Sequence, residues 1–208
     1  MSKLHKFNIP GHIHFITTNT YLCVPIFLAN DLCQILLRNL DFYRQKHRFK
    51  LIGYVIMPDH FHALIYPMDE VPIQKILQDI KRYSAKQILE KLENEPTTWE
   101  SLGGMVIPQE NLRLAYSTSA IRCLKHLHVP TQKDFLVRKP RTSGQEHQIW
   151  QEGFYDFNIF TEKMLKQKLN YIHRNPLMWK LVHDPVEYPY SSYQNYIEAE
   201  ALFDIDWL

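Results

Sequence analysis

Two runs rich in β-forming residues, 51–57 and 60–66, are separated by only Pro58-Asp59. Parallel strands need a long crossover connection, so a two-residue link commits these runs to an antiparallel hairpin. The rest of the fold has to be built around that hairpin.

The neighbouring patterns supply its partners. Residues 12–18 alternate as a first strand, and Asn30-Asp31 opens a helix with an apolar stripe that should run to about His47. Pro72 sits where a first helical turn tolerates proline, and Ile73, Ile76, Leu77, Ile80, Ile88 and Leu92 carry an amphipathic helix to about Asn94. Residues 149–159 read as strand. Thr161 then reads as the N-cap of a helix with Leu165, Leu169 and Ile172 as its stripe, ending at Asn175-Pro176. The order β-α-β-β-α, then β-α, predicts an α+β fold: a ferredoxin-like antiparallel sheet with helices packed on one face. We expect one domain over 1–208, with an insertion at 95–147 that contains Gly103-Gly104, Pro108, Pro130 and Pro140.

Composition narrows the partners. Hydrophobic residues at 45% and charged residues at 22% describe a globular chain. A net charge of +2 gives no global pull on a polyanion, so any nucleic-acid site must be local. Cys23, Cys33 and Cys123 form no CxxC pair, which argues against a disulfide framework or a zinc knuckle. With neither a signal-like N-terminus nor an apolar run long enough to span a bilayer, we expect a cytoplasmic protein and no membrane partner.

Chemistry concentrates in two places. In His60-Phe61-His62 the imidazoles, two apart on a strand, share a face and can reach one ion, given a third ligand. A second pair, His12-Ile13-His14, has the same spacing, and two strand histidines with ordinary surface roles also fit it. The later pair is favoured because it follows a tight turn and is expected in mid-sheet. The other place is Tyr171-Ile172-His173-Arg174-Asn175-Pro176, where Tyr171 and Asn175 stack one helical turn apart with Lys168 on the same side. A phenol beside a cation and an amide oxygen suits a nucleophile next to a metal ligand, and it equally suits a packed helix-end tyrosine. Basic residues Lys75, Lys81, Arg82 and Lys86, and Lys133, Arg138, Lys139 and Arg141, can track a phosphate backbone or simply face solvent.

Together, Met57-Pro58-Asp59-His60-Phe61-His62, Trp150-Gln151-Glu152-Gly153-Phe154-Tyr155-Asp156, the Tyr171 segment, Leu181-Val182 and Tyr190-Ser191-Ser192 resemble the REP-associated tyrosine transposases of the HUH single-strand transposase superfamily. The resemblance implies a divalent cation, Mg2+ or Mn2+, on His60 and His62 with Asn175 completing the site, and Tyr171 as nucleophile. It implies cleavage and rejoining of single-stranded DNA with hairpin or palindromic elements through a 5′-phosphotyrosine, at the nucleoid of a prokaryote. Lys75, Lys81, Arg82, Lys86 and Lys168 would contact DNA. Some relatives are homodimers in which the tyrosine serves the partner's site. The alternative is a domesticated DNA-hairpin-binding protein with little turnover. One departure stands out: Lys180 occupies the place before Leu181-Val182 where the family commonly carries glycine.

Overall fold

The structure, a computed structural model, describes residues 11–94, 104 and 147–208. The expected insertion, with Lys133, Arg138, Lys139 and Arg141, lies outside the described residues except for Gly104 and His147. Four strands form one sheet: β1 (Ile13–Asn19), β2 (Phe49–Met57), β3 (His60–Pro67) and β4 (Tyr155–Ile159), in the order β2-β3-β1-β4 with every pair antiparallel. That is the expected α+β, ferredoxin-like sheet, with the hairpin at one edge.

Helices α1 (Asn30–His47) and α2 (Ile73–Asn94) pack side by side. His47 Nε2 lies 2.8 Å from Asp79 Oδ2, and Asn39 donates to Gln87 across the same seam. Their apolar stripes cover the face bearing Phe61, Ala63 and Ile65, each fully buried. The expectation of helices on one face holds for these two and is incomplete for α3 (Glu162–Met178), which packs against β2 on the other face. Gly53 sits beneath it. A Cβ there would stand 2.8 Å from Leu169 Cδ2, so the missing side chain lets the helix lie close to the sheet.

Three boundaries differ from the sequence reading. The predicted strand 149–159 is broken: Gln151 N–H donates to Asn19 O at the end of β1, Ile149 O accepts from Tyr21 N–H just beyond it, Gly153 turns the chain at φ +71, and β4 proper begins at Tyr155. Helix α3 does not stop at Asn175-Pro176 but reaches Met178. Proline lacks a donor, yet in the last turn it forfeits one bond, and the carbonyls beyond it are retained by a Schellman ending. Leu181 N–H donates to Pro176 O and Lys180 N–H to Leu177 O, with Lys180 in the left-handed region at φ +57. Lysine therefore holds the backbone shape that glycine adopts more cheaply. Lastly, β1 is as central as β3. Position in the sheet does not separate the two histidine pairs, because strand order is set by long-range pairing that local pattern cannot express.

The C-terminal segment covers the outer edge of β2. Ile56 N–H donates to Tyr190 O, Ser192 N–H to Tyr54 O and Asp206 N–H to Leu51 O, so that edge is not left open for another strand. No described helix is long and apolar enough to cross a membrane.

Candidate metal and tyrosine site

The Pro58-Asp59 turn is clamped before the first histidine begins. Its carbonyls accept from Phe27 N–H and Thr20 N–H, and the Thr20 hydroxyl adds a second bond to Asp59 O. This fixes the start of β3, and strand alternation then sends His60 and His62 to the α3 side, their ring centroids 4.7 Å apart. Both are buried.

Each ring is oriented through Nδ1. The Asp59 carboxylate lies 2.6 Å from His60 Nδ1. Thr17, directly across from His62 on β1, brings Oγ1 to 2.7 Å from His62 Nδ1. Phe15 stacks on the His62 ring at 5.5 Å. Partners on Nδ1 leave Nε2 to act, the arrangement metal-ligating histidines use. His62 Nε2 is buried with no hydrogen-bond partner. Burial, with His60 and Lys168 adding to it, holds the His62 imidazole well below the ordinary histidine range, so its nitrogen keeps a lone pair at neutral pH.

Helix α3 closes the site from above. Its N-cap Thr161 accepts from Met164 N–H, and near its other end His173 Nε2 meets Ser192 Oγ at 2.9 Å. Ser192 is in turn bonded to the backbone of Tyr54, so the helix is tied through the C-terminal segment to β2. The tie fixes its rotation. Tyr171, Asn175 and Trp179 follow at i, i+4 and i+8, one stripe of the helix. The Tyr171 ring lies 5.3 Å from His62 and the Trp179 ring 5.3 Å from His60, which sets Asn175 between them. Asn175 Oδ1 is buried without a partner. Tyr171 is 52% exposed, on a groove of about 760 Å³ shared with Lys168, Arg174, Asn175, Met178 and Trp179. The ammonium of Lys168 stands 4.4 Å from the Phe15 ring, 5.0 Å from Phe157 and 5.9 Å from Tyr171, and desolvation lowers its pKa.

Among the described residues no group of three His, Cys, Asp or Glu side chains is placed to hold an ion. The donor set that fits is therefore two imidazoles and an amide oxygen, with two orphaned buried acceptors, His62 Nε2 and Asn175 Oδ1, on facing elements. Such a mixed nitrogen and oxygen set leaves further positions for oxygen ligands, as magnesium and manganese prefer.

The structure thus gathers His60, His62, Tyr171, Asn175 and Lys168, and it sets the α2 cations apart on the far side of the sheet. Lys75 pairs with Asp79 at 2.7 Å and Lys86 with Glu90 at 3.6 Å. Lys81 donates to the carbonyls of Gln151 and Gly153, and Arg82 lies 5.7 Å over the Tyr83 ring. Sequence reasoning missed Thr17, Phe15 and Trp179 around the histidines. Only the β1–β3 register and the path of α3 reveal them.

Comparison with known proteins finds likeness in sequence and in fold. The family model described as "Transposase IS200 like" matches residues 7–102. A protein of Haemophilus influenzae named as a REP-associated tyrosine transposase is 35% identical over 69 residues, covering 33% of this chain and 39% of that protein. The match therefore spans well under half of the curated relative. A solved structure of a REP-associated tyrosine transposase bound to a REP hairpin superposes with a TM-score of 0.63 at 17% identity, covering 100% of this chain and 92% of that one, a likeness of fold. The chain is thus similar in sequence, over part of its length, to IS200-like and REP-associated tyrosine transposases, and similar in fold to the hairpin-bound structure over its whole length.

Proposed function

We propose that this protein nicks and rejoins single-stranded DNA carrying hairpin or palindromic elements, with Tyr171 as nucleophile and a divalent cation, Mg2+ or Mn2+, held by His60, His62 and Asn175. One observation carries the reading: two buried acceptors without partners, His62 Nε2 and Asn175 Oδ1, lie beside a half-exposed tyrosine whose ring is 5.3 Å from His62. An unpaired buried polar atom costs stability, and a ligand that pairs it repays that cost.

When bound, the cation polarises the scissile phosphate and stabilises the departing 3′ oxygen. Tyr171 Oη attacks phosphorus in line. The Oη–P bond forms as the P–O3′ bond breaks, the phenol proton passes to solvent, and the 3′ oxygen leaves as a hydroxyl after taking a proton. The 5′-phosphotyrosine keeps the phosphodiester's energy, so another 3′ hydroxyl can reverse the step without ATP. Lys168, a turn before Tyr171, adds positive charge along the path of the strand. Asp59 and Thr17 keep the imidazoles aimed. The hairpin held by the solved relative supports the choice of substrate.

The contact between Tyr171 and His62 of one chain favours attack in cis. A homodimer that exchanged the tyrosine would instead show activity when Tyr171→Phe and His62→Ala chains are mixed. The decisive experiment incubates the protein with labelled hairpin DNA and manganese and looks for a denaturant-resistant adduct. The adduct should form, and Tyr171→Phe should abolish it. Cleavage that survives that substitution, or binding without cleavage, overturns the reading.

A further inference from the structure

On the opposite side of the sheet from Tyr171, the seam between α1 and α2 opens into a groove of about 380 Å³. Arg38, Phe42 and Lys46 follow at i, i+4 and i+8 on α1, a single stripe that alternates cation, ring and cation at intervals of roughly 6 Å. Tyr83 of α2 faces them. Phe42 is 58% exposed and Tyr83 41% exposed, although both belong to helices whose other aromatic at the seam, Tyr43, is buried. Tyr43 hydrogen-bonds Tyr83 and forms the floor. Cations lie over the rings: Lys46 Nζ is 5.7 Å from Phe42 and 5.6 Å from Tyr43, and the Arg82 guanidinium is 5.7 Å from Tyr83.

Charge distinguishes this groove from the surrounding helix surface. Among the described residues no carboxylate lines it. Arg44, Lys75, Lys86 and Lys91 each have an acidic partner, whereas among the described residues Arg38, Lys46 and Arg82 have none. Exposed rings beside cations with no acidic partner among the described residues match a ligand that repeats a flat ring and a negative charge. A single-stranded nucleic acid does so with every nucleotide, its bases stacking on aromatic faces and its phosphates pairing with Lys and Arg. A protein partner would bring no such regular alternation.

We propose that the α1–α2 groove is a second binding site for single-stranded DNA, in which unpaired bases stack on Phe42 and Tyr83 while Arg38, Lys46 and Arg82 hold the phosphates. It draws on the proposed function only in taking DNA as the polymer. The site lies across the sheet from the tyrosine, so it holds a part of the strand away from the scissile bond.

The test uses the full chain and a fluorescent thirty-nucleotide polythymidine, with binding read by anisotropy in EDTA so that no cleavage contributes. Phe42→Ala combined with Tyr83→Ala should weaken binding about tenfold, the loss of one or two stacked bases. Arg38→Gln combined with Lys46→Gln should lower the slope of log affinity against log salt by about 1.4, two phosphate contacts on a single strand. Photocrosslinking with 5-iodouracil in the oligonucleotide should label peptides containing Phe42 or Tyr83. Unchanged affinity and slope in both variants, or crosslinks confined to α3, overturn the proposal. So does loss of self-association with DNA binding intact, which would make the groove a contact between copies. An absent phosphotyrosine adduct would count against the nuclease reading and leave this binding result standing.

Discussion

His12-Ile13-His14 and His60-Phe61-His62 share one pattern and lie on adjacent strands, but they face opposite sides of the sheet. On β1, the alternation that aims Thr17 at His62 turns His14 to the opposite face. There its Nδ1 is 2.9 Å from Asp156 Oδ1, with both side chains almost wholly buried. His12 packs edge-on against Phe160. On β3, by contrast, both rings face α3, both are gripped through Nδ1, and His62 Nε2 has no partner. The motif decides only that two imidazoles share a side. Each pair meets a carboxylate at one Nδ1, Asp156 for His14 and Asp59 for His60, so what separates them is the facing helix, which brings Tyr171 and the Asn175 amide oxygen to the β3 pair.

That contrast breaks most decisively through activity. His62→Ala should lower adduct formation about a hundredfold or more, since even partners behind a metal ligand cost about 10- to 100-fold. His14→Ala should leave the adduct and alter stability instead. Manganese should raise the melting temperature of the wild type and of His14→Ala, but not of His62→Ala. A manganese shift that survives in His62→Ala would end the assignment.

Next comes acid sensitivity. Burial holds His173 down to about 4, so the native state favours its neutral form. Its contribution is complete above the ordinary histidine pKa of about 6.5 and is lost as pH falls through 4, amounting to about 3 kcal/mol. Denaturant titrations from pH 7 to 4 should show that decline, and His173→Gln should flatten it. His62, also lowered by burial, acts in the same direction.

A smaller effect is expected at the His14–Asp156 pair itself. His14→Ala strands the buried Asp156 carboxylate and should cost about 2 kcal/mol in urea unfolding. No loss would mean that the bond is dispensable, and the two pairs would differ less than their geometry implies. Smallest of all, Lys180→Gly should stabilise the chain by about 1 kcal/mol, because glycine relieves the left-handed strain at φ +57. Unfolding at lower denaturant than the wild type would show that the Lys180 side chain contributes something the backbone argument omits.

Much of the frame was legible in the sequence because its causes are local. The two-residue Pro58-Asp59 link required the hairpin, the apolar periods located α1 and α2, and Thr161 capped α3 where it was expected. Side-chain alternation and the helical repeat already paired His60 with His62 and Tyr171 with Asn175. The break at Gly153 and the extra residues of α3 past Pro176 escaped, because each depends on bonds made after the local pattern ends.

Only the tertiary structure shows what surrounds each histidine pair. Those surroundings depend on Asp156, 142 residues from His14, on Thr17, 45 residues from His62, and on a helix tied by the bond between His173 and Ser192. It also shows which lysines are paired with carboxylates and which cations, among the described residues, have no acidic partner beside exposed rings. Sequence periodicity fixes which residues face the same way along one element. What they face is set by strand order and helix docking, which arise from burying apolar surface between distant segments.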